Sequence, residues 1–337
     1  MEDVTYTLYK VARCGFYDDE ESHQFATLFQ VLSDFRGWTE GLESIGESST
    51  YTPVEDDDFL RAFCIDIKRF GATNHWMLCT WNELPAIDEG VQVVAIDSKI
   101  GSPSISAIEV DGVSLPGYPA FFFIDSNKGL VLNLRFEQRL NGSRQFQRYI
   151  QEFLRSSSRW CSWGDDDQLL GYEYDGDVYQ EVEPYFRTTL RRVAANIDEI
   201  KARFDEIRKV IKRASVSPQV EQERAFVDSA FSIIGLPVNN RLRADIPFHI
   251  EMKARFTPEK LESVIEKAMD VADEGWDDVG FTFAKDSQKI HWLSGAIARK
   301  RASINVGRNE HGMIDLDDLS EFLQASGGAI IEALEGD

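Results

Sequence analysis

Cysteine, histidine and proline are all scarce: 4, 5 and 10 residues respectively in a chain of 337. Cys14, Cys64, Cys79 and Cys161 are widely spaced and form no Cys-x-x-Cys pair. This argues against a disulfide framework or zinc ribbon and for a reducing, cytoplasmic setting. The histidines are isolated, with no His-x-x-x-His pair, so no metal site is expected. No apolar run approaches the ~20 residues that span a bilayer; the longest aromatic-aliphatic stretch is Ala120 to Ile124. Met1 to Tyr6 lacks the basic and apolar regions of a signal peptide, so direct membrane insertion is not expected. The Gly-x-x-x-x-Gly-Lys, Gly-x-Gly-x-x-Gly and Gly-x-Ser-x-Gly motifs are also missing, and no cofactor is expected.

Negative charge, by contrast, is abundant. The formal net charge is −22, but it is unevenly spread. Residues 128–163 carry 7 basic and 2 acidic side chains, residues 187–213 carry 9 and 4, and residues 285–308 carry 6 and 1. Residues 164–186 carry no basic and 8 acidic side chains, and residues 309–337 repeat those numbers. Three cationic segments therefore stand inside an anionic protein. Either each is a solvated face balanced by nearby acids, or they converge on one surface that admits a phosphate backbone.

Hydrophobic periodicity separates the elements. Val4 to Ala12 alternates as a strand, whereas Phe25, Leu28, Phe29, Leu32 and Phe35 mark one helical face that Gly37 stops. Phe59 to Phe70 and Trp76 to Trp81 read as strands, with shorter candidates at Val91 to Asp97 and Ser104 to Val110. Tyr118 to Ile124 and Gly129 to Phe136 form a hairpin, and Phe121-Phe122-Phe123 implies a strand covered on both faces. A helix follows Asn141-Gly142, burying Phe146, Tyr149, Ile150 and Phe153.

From Phe186 the pattern becomes a seam. Phe186, Leu190, Val193, Ile197, Ile200, Phe204, Ile207 and Ile211 recur at alternating spacings of four and three, which predicts a helix of roughly 40 Å. Val220 to Ile234 supplies a second helix, and the seam either zips this hairpin shut or serves a dimer contact. Ile246 to Phe256 is a strand, and Thr257-Pro258-Glu259 opens a helix. Further strands fall at Val279 to Ala284, Lys289 to Ala298 and Ala302 to Val306, before a short final helix capped by Asp315. The expected fold is α+β: two mostly antiparallel α+β parts bridged by a long helical hairpin. The parts are an N-terminal domain at 1–163, an acidic linker and the hairpin at 164–235, and a C-terminal domain at 236–337.

Sequence-tolerant binding of double-stranded DNA accounts best for the basic residues. Arg191, Arg192, Lys201, Lys209, Lys212 and Arg213 lie off the seam. Arg299, Lys300, Arg301 and Arg308 accompany the last strand, and Arg241, Arg243 and Arg255 flank the strand at Ile246. Such side chains contact phosphates without reading bases, and no base-reading motif accompanies them. Two alternatives stand beside this. Asp245 before Glu251-Met252-Lys253 fits a Mg²⁺-dependent nuclease of the PD-(D/E)xK type, although an acid-x-Lys pair is also common on exposed strands. A protein-protein adaptor using the seam is the other.

Several stretches taken in order resemble the phage lambda exclusion protein family RexA. They are Gly15-Phe16-Tyr17 before a helix, Gly117 to Phe123, Arg187-Thr188-Thr189-Leu190, and Phe248 to Phe256 leading into a helix. The DNA-binding subunit of the Kiwa anti-phage system is similar in outline. The resemblance implies a cytoplasmic homodimer that binds DNA without sequence specificity in abortive infection, signalling to a membrane-protein partner. Arg187 to Leu190 is also where the seam argues for helix, so the two readings compete there.

Overall fold

A computed structural model of the chain describes residues 1–54, 60–84, 93–106, 114–136, 142–191, 194–216, 246–271, 278–284, 286–293, 298–309 and 312–336. These fall into two compact units: Met1–Arg191 with Arg299–Asp337, and Arg192–Ala298. The second unit is inserted into the first.

The spine of unit 1 is strand β1, Glu2–Asp18. Strands β2 (His23–Phe25), β3 (Ala62–Arg69), β4 (His75–Glu83), β5 (Val93–Ala95), β6 (Ile105–Ser106), β7 (Ser114–Asp125) and β8 (Leu130–Arg135) follow it. The main sheet runs from β1 through β8, β7 and β4 to β3, and every pairing is antiparallel. The other edge of β1 is shared by two later strands. Strand β17, Arg299–Ile304, pairs with residues 2–7, and β12, Val182–Leu190, pairs with residues 9–18. The amide of Arg191 donates to the Leu8 carbonyl (2.8 Å) and Arg299 lies opposite Thr7, so the chain leaves unit 1 and returns to it at adjacent points.

Helices α1 (Leu28–Glu40) and α2 (Ser143–Ser156) cover one face of this sheet. Phe122 stacks on Phe146 with centroids 4.4 Å apart, and Phe35 meets Phe153 at 5.0 Å. On the other face Phe121 and Phe123 are also buried, and Phe123 packs against the final helix, Leu316–Gly336, at Gly327. The triple phenylalanine thus sits between two layers. That closeness requires glycine, because a methyl on Gly327 would lie 2.6 Å from the Phe123 ring.

Local signals explain most element ends. The Thr27 hydroxyl accepts from the Gln30 amide and the Gln30 side chain accepts from the Thr27 amide, a reciprocal cap for α1. Gly37 lies inside that helix, which runs on to Gly41, because the turn before it already buries Val31, Leu32 and Phe35. Asp315 Oδ1 accepts from the amides of Asp317 and Asp318 at 3.0 Å and caps the final helix. That helix has 21 residues and is not short. The acidic stretch after Gly164 is not a linker. It contributes to a three-stranded sheet of β9 (Cys161–Trp163), β10 (Leu169–Tyr174) and β11 (Asp177–Tyr179), whose Tyr174 stacks on Phe25 at 4.7 Å.

Unit 2 holds a four-stranded antiparallel sheet in the order β14-β13-β15-β16. These strands are β13 (Ile207–Val216), β14 (Ile246–Lys253), β15 (Asp278–Phe283) and β16 (Asp286–Trp292). Helices α3 (Ala194–Ala202) and α4 (Pro258–Val271) accompany it, and the final helix of unit 1 is α5.

The long helical seam does not form. Phe186 and Leu190 lie on β12, Ile197 and Ile200 on α3, Phe204 in a single 3-10 turn, and Ile207 and Ile211 on β13. Val193 and the second helix expected at Val220 to Ile234 lie outside the described residues. A spacing of four is even, so it also suits a strand: on β12, Val182, Pro184, Phe186 and Thr188 are buried in strict alternation. The three-residue step from 204 to 207 coincides with the change from the 3-10 turn to β13 and not with a turn of α-helix. Among the described residues no helix is long and apolar enough to cross a membrane.

Candidate nucleic-acid interface

The arginines of unit 1 are grouped by register. On β1, Thr5 is paired on one side with Arg135 of β8 and on the other with Arg301 of β17. Two residues on, Thr7 lies between Asn133 and Arg299. Direct partners in antiparallel strands share a face, so Arg135, Arg299 and Arg301 project from one side of the sheet. Thr5, Thr7 and Asn133 form a buried polar floor between them, and Arg299 Nε donates to Thr7 Oγ1 at 3.2 Å. The Arg135 guanidinium is pushed down to about 10 by burial and by the like charges of Arg299 and Arg301. It therefore stays charged at neutral pH in the field of two other cations.

Lys300 belongs to the other face. It lies opposite Tyr6, and alternation along a strand directs it away from its two neighbours. The run Arg299-Lys300-Arg301 is thus split by the pleat.

Other basic residues singled out from sequence are engaged elsewhere. Arg308 pairs with Glu2 at 2.5 Å and donates to the Gly312 carbonyl at 2.6 Å. In unit 2, Lys201 meets Glu262 at 2.6 Å and Lys209 meets Glu251 at 2.5 Å. Lys212 and Arg255 are exposed, Arg213 lies on β13 opposite His249, and Arg191 is half-buried at the end of β12. Arg192, Arg241 and Arg243 lie outside the described residues, as does Asp245 of the nuclease reading. Glu251 and Lys253 are exposed on β14, and Lys209 holds the Glu251 carboxyl below the usual carboxylate range. Among the described residues no group of three or more His, Cys, Asp or Glu side chains is placed to hold a metal.

Two features escaped the sequence reading. Arg135 closes a strand-like run, and nothing local shows that it faces Arg301 across Thr5. The second is a cavity of about 800 Å³ lined by Arg36 and Glu43 near the end of α1, by Asp66 and Lys68 of β3, and by Lys99. A register shift between Cys64 and Asp66 marks β3 there. Asp66 is 5% exposed, and its Oδ2 lies 3.2 Å from Lys68 Nζ without the alignment of a hydrogen bond. Burial pushes its carboxyl above the usual range, although Lys68 pulls the other way.

Comparison with family models, curated proteins and solved structures finds no match.

Proposed function

We propose that the protein binds duplex DNA without sequence preference, and that Arg135, Arg299 and Arg301 of unit 1 form the phosphate contact. The observation that carries this reading is the placement of three arginines on one face, Arg135 of β8 and Arg299 and Arg301 of β17 on either side of β1, with the charge on Arg135 disfavoured by burial and by the other two. A phosphate placed between them relieves that repulsion, and guanidinium groups suit its oxygens. Contacts of this kind supply affinity and orientation but no base discrimination. The role in an anti-phage exclusion system, as a homodimeric sensor that signals to a membrane-protein partner, rests on the family resemblance alone and belongs to the same proposal.

The test is fluorescence anisotropy with two duplexes of unrelated sequence. Both should bind with equal affinity, and three phosphate contacts should cost about fortyfold in affinity between 50 and 200 mM salt. A strong preference for one duplex, or salt-independent binding, would contradict the reading.

A further inference from the structure

We infer that the outer edge of β14 in unit 2 pairs antiparallel with the same strand of a second copy of the chain. β14 ends its sheet and pairs with β13 alone among the described residues. All side chains from His249 to Lys253 are exposed. Ile250 and Met252 are 38% and 56% exposed and, two positions apart, share one face. Edge strands that stay single are commonly bulged or very short. The unit 1 edge strand β3 has such a break in register, between Cys64 and Asp66. The pairing of β14 with β13 instead runs unbroken from Ile246 to Lys253.

Backbone parity shows what this edge offers. The Ala254 amide donates to the Arg208 carbonyl at 3.2 Å, one step beyond the Lys209 and Lys253 pair. Hydrogen-bonded and non-bonded pairs alternate along an antiparallel ladder, so even-numbered residues of β14 turn their backbone groups to β13. Pro247, His249, Glu251 and Lys253 turn theirs outward. Proline thus falls where its missing N–H costs the ladder nothing.

Charge then selects the register. A two-fold axis at Glu251 would set that carboxylate against its own copy and Lys253 against His249, matching like with like. An axis at His249 would place Glu251 opposite Pro247, which has no donor. An axis at Met252 would overlap only residues 251–253 of the two strands. The axis at Ile250 overlaps residues 247–253, sets Ile250 against its copy and places each Glu251 opposite the other chain's His249. This strand is therefore self-complementary, and the two four-stranded sheets would join into one. The inference supplies an interface for the homodimer of the proposed function and does not depend on DNA binding.

Sedimentation equilibrium of the full chain without DNA should show a dimer. I250K/M252K should weaken it at least about tenfold, and an unchanged thermal melt would confirm that these exposed substitutions leave the fold intact. R299E/R301E should leave the dimer unaltered; loss of DNA affinity there with the dimer intact separates the two proposals. Register is read by cysteine: under mild oxidation I250C should give a disulfide-linked dimer, because directly opposed residues lie within disulfide range. K253C, opposite Pro247, should not, with the wild type as baseline. A wild type that stays monomeric at about 50 μM would overturn the inference and leave the edge to a strand of another protein. A dimer undiminished in I250K/M252K, or cross-linking of K253C in place of I250C, would overturn it as well.

Discussion

Unit 1 and unit 2 both carry basic residues on antiparallel strands, yet they use them differently. On β13 of unit 2, Lys209 is matched to Glu251 of the neighbouring strand, and Lys201 on α3 is matched to Glu262. On β8 and β17 of unit 1, the cross-strand neighbours of arginine are threonine and, beyond it, another arginine. Local net charge is +5 for each of the three stretches of sequence that supply these residues, 128–163, 187–213 and 285–308. What separates them is register, which sets Lys209 diagonal to Glu251 in unit 2 and brings Arg135, Arg299 and Arg301 to one face in unit 1. Charge counts therefore locate cationic sequence, and pairing decides whether it becomes a cationic site.

The comparison can be broken most forcefully by charge reversal. R299E/R301E should lower DNA affinity by at least about a hundredfold, since two favourable phosphate contacts become repulsive. R135Q removes one contact; anisotropy should show a loss of about tenfold and a salt slope shallower by about one. K300E, on the opposite face, should weaken binding only a fewfold, through the general field. K201E/K209E should leave affinity within about twofold, because those lysines already serve unit 2. A hundredfold loss in K201E/K209E would remove the distinction between the units.

A stability measurement sharpens the role of burial. Asp66, like Arg135, is a charge that burial disfavours, and its folded-state carboxyl titrates above its unfolded value. The folded protein therefore binds that proton more tightly, and ionised Asp66 costs stability as pH rises through the folded value. D66N should melt higher than the wild type at pH 7, with the gap closing below about pH 4, where both states are protonated. A lower melting temperature at pH 7 would show that the ion pair with Lys68 outweighs burial.

Local chemistry made much of unit 1 legible. The hairpin at β7 and β8, the buried stripe of α2 and the Asp315 cap are set by residues close in sequence. The seam from Phe186 to Ile211 misled because apolar spacings of four satisfy strand and helix alike, and only the partner settles the choice. For β12 that partner is β1, more than 160 residues away in sequence. The arginine group was half legible. Arg299 and Arg301 stood out as a basic run, whereas Arg135 joins them only through a register that β1 imposes, and the pleat that separates Lys300 follows from the same pairing.

The salt dependence of DNA affinity tests the central claim most directly. With Arg135, Arg299 and Arg301 each meeting a phosphate, log K plotted against log salt should be linear with a slope of about −2.7. In R299E/R301E that slope should collapse. Absence of binding by the wild type at 50 mM salt, or a slope unchanged in the variant, would contradict the account.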